Sequence, residues 1–170
     1  MKGLIMLDGY RPKGVGFFEK RRANKAIQIF EQILSIAPEH FQSLFFIGKL
    51  YQRLGEHQKS LSYFETALQH EHINHSLPQE ASLAAMHLNL IDKAIQYSTE
   101  ANRRKPNDFA LLGNHAMNLL IAGLDNEAKE AIDKAMSIDG TDAINKRIKS
   151  KIEAVIAGHI KRPTFEDTLG

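Results

Sequence analysis

Three histidines close together in the chain, His70, His72 and His75, come nearest to a metal-ligand pattern. A zinc site needs ligands that converge at fixed distances, and on one helix this favours histidines four residues apart. The observed spacing instead crosses a predicted helix end and turn, where exposed polar residues are common. We therefore expect no metal site and no cofactor.

The sequence lacks the motifs that usually carry catalysis. It contains no glycine-rich phosphate loop, no Gly-x-Ser-x-Gly turn and no His-Glu-x-x-His pair. It has no cysteine, which excludes disulfides and thiolate chemistry and fits a reducing compartment. We interpret the chain as a protein that is not an enzyme.

A basic stretch near the C-terminus is the other candidate for chemistry. Between residues 143 and 162 a single acidic residue, Glu153, stands against six basic ones: Lys146, Arg147, Lys149, Lys151, Lys161 and Arg162. Such a stripe could meet phosphates or an acidic partner. Few aromatic residues accompany it, and lysines commonly keep the end of a helical array soluble. We expect no nucleic-acid binding.

Composition sets the protein class. The 170 residues are 43% hydrophobic and 25% charged, with a formal net charge of +2, as in ordinary soluble globular proteins. No window approaches the run of about 18 apolar residues that spans a bilayer. We expect no membrane insertion and a cytoplasmic location.

The sequence repeats with a period of 34 residues. Small or medium residues recur at this interval in two registers: Gly14, Gly48, Ser82 and Ala116, and then Ala26, Ser60, Ala94 and Ala128. Small residues belong where helix backbones cross closely, because larger side chains would force the helices apart. Turns are predicted near 21–24, 55–58, 89–92 and 123–125. The pattern predicts an all-α array of helix pairs.

The array resembles the tetratricopeptide repeat family. Residues 41–72 carry most of its signature: Leu44, Ile47, Gly48, Tyr51, Gly55, Ser60, Phe64 and Ala67. The resemblance implies a right-handed superhelical solenoid with about four repeats, at 7–40, 41–74, 75–108 and 109–142. A capping helix is predicted at about 142–157, which completes a domain over 1–160, and residues 161–170 are predicted to be a flexible tail.

The resemblance also implies a concave groove, lined by the first helix of each repeat, that binds a peptide. Matching the repeats position by position assigns to this groove Arg11, Val15, Phe18, Phe45, Lys49, Gln52, Leu83, Met86, His87, Met117 and Leu120. Its apolar and methionine-containing lining could adapt to a hydrophobic or amphipathic segment. The alternative is that some of these side chains pack between repeats.

One subclass of the family holds a C-terminal carboxylate with basic and amide side chains. The corresponding positions here are Arg11, Val15, Phe46, Ser76 and Glu80, and only Arg11 fits. Glu80 has the wrong charge for an anion. We reject this ligand type.

The leading hypothesis is a non-catalytic scaffold that binds a peptide or helix of a protein partner in the groove. The alternative is the N-terminal substrate-recognition module of a larger bacterial enzyme such as a transferase, motivated by the linker-like residues 163–170. We expect a monomer or a weak homodimer, the latter through apolar residues 4–7.

Overall fold

The computed structural model describes residues 16–168. This part of the chain is all-helical, with eight α-helices followed by one short 3₁₀ turn at Glu166–Thr168. The helices are α1 Phe17–Ile36, α2 Phe41–Arg53, α3 His57–Leu68, α4 Ser76–His87, α5 Ile91–Arg104, α6 Phe109–Ala122, α7 Asp125–Ile138 and α8 Ala143–Ile156.

Consecutive helices pack against each other and form a solenoid. Three pairs, α2 with α3, α4 with α5, and α6 with α7, follow the predicted 34-residue period. The first helices of neighbouring pairs also touch, since α2 contacts α4 and α6 contacts the final helix α8. The first helices therefore line the inner side of the array. We call the pairs units two, three and four.

The recurring small residues lie at the helix crossings, as the period predicts. Gly48, Ser82 and Ala116 are buried on the first helices, and Ser60, Ala94 and Ala128 are fully buried on the second helices. A buried polar bridge ties units three and four, because Asn118 donates to Ser82, whose hydroxyl donates to the Ala94 carbonyl. The predicted all-α solenoid with a capping helix is confirmed.

Two hydrophobic clusters form the interior. The first core joins units two and three and includes Leu44, Leu61, Phe64, Leu77, Met86 and Phe165. The second core joins unit four to α8 and includes Leu112, Met117, Leu120, Ile132, Ile148 and Ile152. Because α8 buries Ile148 and Ile152 against unit four, it closes the end of the array.

The predicted turn at residues 21–24 is wrong. Helix α1 runs without a break through these residues, so it is one long helix that precedes unit two. Ala26 and Phe30 are half-buried and Ile33 is 37% exposed, although the matching side chains in later units are buried. The first helix predicted for the first repeat falls largely on residues 7–15, outside the described residues.

The other predicted turns are present, and each has a residue in the left-handed conformation. Gly55, Asn89 and Gly123 have φ of 77°, 56° and 86° and lie 34 residues apart. Glycine adopts this conformation without a steric cost, whereas side chains other than those of Asn and Asp rarely do. Asn89 therefore occupies a glycine position of the repeat.

Substitution of Asn89 should show how the side chain at this positive-φ position affects stability. We expect Asn89→Ala to lower the free energy of unfolding by about 1 kcal/mol, because alanine lacks the local hydrogen bonding that lets asparagine adopt positive φ. Asn89→Gly should be neutral or slightly stabilising. Urea unfolding followed by circular dichroism compares the three proteins. Equal stability of the alanine variant would mean that this turn relaxes to another conformation.

The prediction of a flexible tail is also wrong for residues 161–168. Pro163, Phe165 and Thr168 are buried, and Phe165 belongs to the first core. We call residues 161–168 the C-terminal segment. It leaves α8 through the exposed residues 157–160 and returns along units four and three, where it contacts Leu120 and His87.

Candidate binding groove

The inner side of the solenoid is built from the first helices α2, α4 and α6. Phe45 and Leu83 are half-buried and pack against the first core, and His87 is also half-buried. Lys49 on α2 pairs with Glu80 on α4 at 2.7 Å, which joins units two and three across the groove. The predicted groove positions of α2 and α4 thus lie together on one surface.

Three predicted groove side chains are not free surface. Met86 is 1% exposed, Met117 is 4% exposed and Leu120 is fully buried. Met86 belongs to the first core, and Met117 and Leu120 belong to the second. For these three residues the packing alternative describes the structure, and the prediction of an open apolar lining does not.

The structure does not bring the predicted residues of the first repeat to this surface. Phe18 lies in the first turn of α1, is 76% exposed, and has its ring against Phe17. Its assignment assumed a first helix of a pair, which α1 is not. Arg11 and Val15 lie outside the described residues.

Several buried polar atoms of units two and three lack a hydrogen bond among the described residues. They include Nε2 of Gln52 on α2, Oε2 of Glu80 on α4 and Nδ1 of His57 on α3. Buried polar atoms are nearly always paired in folded proteins, because leaving one unpaired is costly. These atoms are covered by their neighbours, so a ligand could pair with them only after a side-chain movement.

The C-terminal segment packs on unit three at the end of α4. The Phe165 ring meets the His87 ring edge-on, with centroids 4.8 Å apart, and His87 stacks on His57 at 3.8 Å. Burial, together with the neighbouring His57, lowers the pKa of His87 to about 4. Burial also lowers the pKa of His57. Both rings are therefore neutral at pH 7 and can pack against an aromatic side chain.

Arg162 fixes the segment to unit four. Its guanidinium donates to the Leu120 carbonyl at 2.6 Å and to both carboxylate oxygens of Asp125, at 2.6 and 3.0 Å. The hydrogen bond from Arg162 lowers the pKa of Asp125. A bidentate contact of this kind selects arginine by geometry as well as by charge.

A local turn shapes the rest of the segment. The backbone N–H and hydroxyl of Thr164 donate to the Asp167 carboxylate at 2.7 and 2.8 Å, and these hydrogen bonds lower the pKa of Asp167. Thr168 donates from its N–H and its hydroxyl to the Phe165 carbonyl. The Thr-x-x-Asp spacing is that of a capping box, a signal that could have indicated order here.

Comparisons with known proteins agree with this architecture. The sequence profile described as "Tetratricopeptide repeat" matches residues 41–69, which cover α2 and α3. The structure of MamA has a TM-score of 0.74 at 14% identity, with 91% of each chain covered. The described residues therefore have the tetratricopeptide repeat fold, and residues 41–69 also match the family's sequence profile.

Other solved tetratricopeptide structures have the same fold. YrrB, described as a TPR protein with an unusual peptide-binding site, has a TM-score of 0.73 at 17% identity, covering 88% of this chain and 77% of YrrB. The first TPR of Spaghetti (RPAP3), bound to the HSP90 peptide SRMEEVD, has a TM-score of 0.64 at 14% identity, covering 69% and 93%. A comparison with curated proteins gave no significant match.

The histidine cluster lies in the turn between tetratricopeptide units two and three. Arg104, whose side chain is 4% exposed, pairs with Glu100 and donates to the carbonyls of Glu71 and Asn74 in this turn. His70 faces Glu39 at 3.8 Å. Within residues 16–168, no three histidine, aspartate or glutamate side chains converge to hold a metal ion.

Part of the basic stretch is neutralised within the fold. Lys149 pairs with Asp133 at 2.7 Å, and Arg162 pairs with Asp125. The absence of nucleic-acid binding stays a prediction, as does the oligomeric state, because residues 4–7 lie outside the described residues. None of the described helices combines the length and hydrophobicity needed to cross a bilayer.

Proposed function

We propose that this protein is a non-catalytic interaction scaffold that binds a peptide or helix of a partner protein in the groove. The carrying observation is the mixed surface of units two and three, where the half-buried Phe45 and Leu83 and the half-buried Lys49 and Gln52 lie on the contacting helices α2 and α4. Apolar side chains of a bound peptide can pack on Phe45 and Leu83, and its backbone N–H and C=O groups can pair with polar side chains. Peptide binding by solved proteins with the same fold supports this proposal.

The surface formed by α2 and α4 is the expected docking surface. Here Phe45 and Leu83 supply half-buried apolar contact, while Lys49 and Gln52 supply polar contact beside them. A mixed surface of this type fixes a ligand's register through polar groups and gains affinity from apolar burial. We place the bound peptide along Phe45, Lys49, Gln52 and Leu83.

An acidic peptide of the kind bound by the first TPR of RPAP3 is not the expected ligand. Glu80 lies on the groove with one carboxylate oxygen already paired to Lys49 and the other unpaired. An approaching carboxylate would meet this negative charge, and Lys49 is already neutralised by it. A neutral or basic segment fits this surface better.

The enzyme-module alternative loses its motivation. It rested on a linker-like stretch at residues 163–170, but residues 163–168 pack on the array. We therefore do not propose it.

A paired substitution tests the groove. The double variant Lys49→Ala/Gln52→Ala should bind a partner roughly thirtyfold more weakly, since each lost hydrogen-bonding side chain costs on the order of 1 kcal/mol. Its matched control is Gln58→Ala/Lys134→Ala, the same residue types on exposed positions of the second helices α3 and α7. Quantitative pull-down from lysate of the source cells compares both with wild type. Equal recovery of every partner on all three baits would contradict the proposal.

A further inference from the structure

The C-terminal segment contacts units three and four as a bound peptide does, through a few side chains at fixed spacing. Arg162 makes the polar contact, and Pro163, Phe165 and Thr168 are buried, whereas Lys161, Thr164, Glu166 and Asp167 are exposed. A few buried anchors separated by exposed residues are the usual pattern of peptide recognition on a preformed surface. The two main anchors are therefore an arginine and the phenylalanine that follows it three positions later.

The segment is not needed to close the solenoid. Helix α8 already caps unit four, through Ile148 and Ile152 in the second core. Phe165 instead joins the first core, and its ring contacts His87 of unit three. A segment that served only as a cap would pack on the last helix. The C-terminal segment instead reaches past unit four to unit three.

The connection between α8 and the anchors is short and lies in solvent. Residues 157–161 are all exposed, and Gly158 has φ of 72° where the chain turns away from the helix. A short tether of this kind gives its attached ligand an effective concentration on the order of millimolar. The segment therefore occupies its site even when its intrinsic affinity is modest, and it can leave without unfolding α8.

We propose that the C-terminal segment is an internal ligand of units three and four, and that the partner's peptide carries a basic residue three positions before an aromatic one and takes the segment's place. This inference rests on the proposed function and adds to the surface along Phe45, Lys49, Gln52 and Leu83 a second contact region at units three and four. Two contacts there would recognise the partner peptide. The Leu120 carbonyl and Asp125 would hold its basic residue, and the His87 ring would hold its aromatic ring.

The acidic residues of units three and four agree with such a ligand. Asp125 holds the basic anchor at unit four, and the Glu80 carboxylate lies at unit three, where it pairs with Lys49. Both favour a basic peptide over an acidic one. The aromatic anchor is favoured by His87 and His57, which form a flat stacked pair with an interplanar angle of 5°.

A peptide-binding experiment on the full chain tests this inference. The probe is a fluorescein-labelled peptide with the sequence of residues 160–168, Ile-Lys-Arg-Pro-Thr-Phe-Glu-Asp-Thr. In the variant Arg162→Ala/Phe165→Ala the tethered copy loses both anchors, so the free peptide should bind at least tenfold more tightly than it binds wild type. Fluorescence anisotropy measures both dissociation constants.

The chain offers a matched control. Lys161→Ala/Glu166→Ala alters two exposed positions of the same segment, one of them basic, and should bind the probe as weakly as wild type does. A probe carrying both anchor substitutions should bind none of the proteins. If the double variant loses its cooperative thermal transition, Arg162→Ala alone, which removes one partly exposed side chain, should still give several-fold tighter binding.

Two results would overturn the inference. One is equal, weak binding of the probe to wild type and to both anchor variants. The other is a wild-type dimer in light scattering that the anchor substitutions convert to a monomer, because the segment would then bind a second copy. If the Lys49/Gln52 test succeeds while the probe fails, the proposed function stands and only this inference falls.

Discussion

Replacing Gly48 with leucine should lower the free energy of unfolding by about 3 kcal/mol or more, at the upper end of overpacking effects. A Cβ atom at position 48 would lie 2.6 Å from Cε1 and 2.8 Å from Cδ1 of the Phe64 ring. Phe64 is fully buried in the first core and has no free space to enter. The larger side chain must therefore separate α2 from α3. Urea unfolding followed by circular dichroism measures the loss.

A rescue experiment distinguishes this contact from a general loss of helix stability. Gly48→Ala alone should also destabilise the protein, but Gly48→Ala combined with Phe64→Leu should lose less than the sum of the single variants, because the ring that clashes is gone. Gly16→Ala is the control, since a Cβ at position 16 meets nothing within 4 Å. Additive effects in the double variant would mean that α2 and α3 do not cross at Gly48.

The sequence predicts the units with the most regular repeat. At 34-residue spacing, small residues must lie at the helix crossings, and Gly48, Ser82 and Ala116 are buried there. The turns at Gly55, Asn89 and Gly123 are predicted by residues that tolerate positive φ. Here local propensity and long-range packing favour the same structure, so the pattern suffices.

The first repeat shows where periodicity alone fails. The turn predicted at 21–24 was inferred from the register, but Arg21, Arg22 and Ala23 are good helix formers and no glycine interrupts them. Local propensity therefore continues α1 through the predicted break. A turn needs its own local signal, and the repeat register does not supply one.

The C-terminal segment could not be predicted from its polar composition. Pro163 and the charged neighbours of Phe165 favour an exposed loop, and neither helical nor strand periodicity is present. What orders the segment is contact with residues far away in sequence, the Leu120 carbonyl, Asp125 and His87. The burial of Met86, Met117 and Leu120 could not be predicted either, because the position of a residue in the repeat does not show which residues cover its side chain.

Acidification should destabilise the protein through the stacked pair His57 and His87. The pKa of His87 is about 4 in the folded protein, against the ordinary histidine value of 6.5, because burial and the nearby His57 disfavour its charged form. Between these two values the unfolded chain binds a proton that the folded chain does not. Stability therefore falls as the pH is lowered from about 6.5 to about 4, and no such change is expected above 6.5.

The loss over this range should be on the order of 2 kcal/mol, less than the full shift would give at about 1.4 kcal/mol per pH unit, since the ring is partly exposed. Urea unfolding of wild type and His87→Gln at several pH values isolates this contribution, because the other titrating groups are shared. As the pH falls, wild type should lose stability relative to His87→Gln. A difference independent of pH would mean that His87 takes up its proton as easily in the folded chain as in the unfolded one. The ring would then lie open to solvent, without the cover that Phe165 gives it.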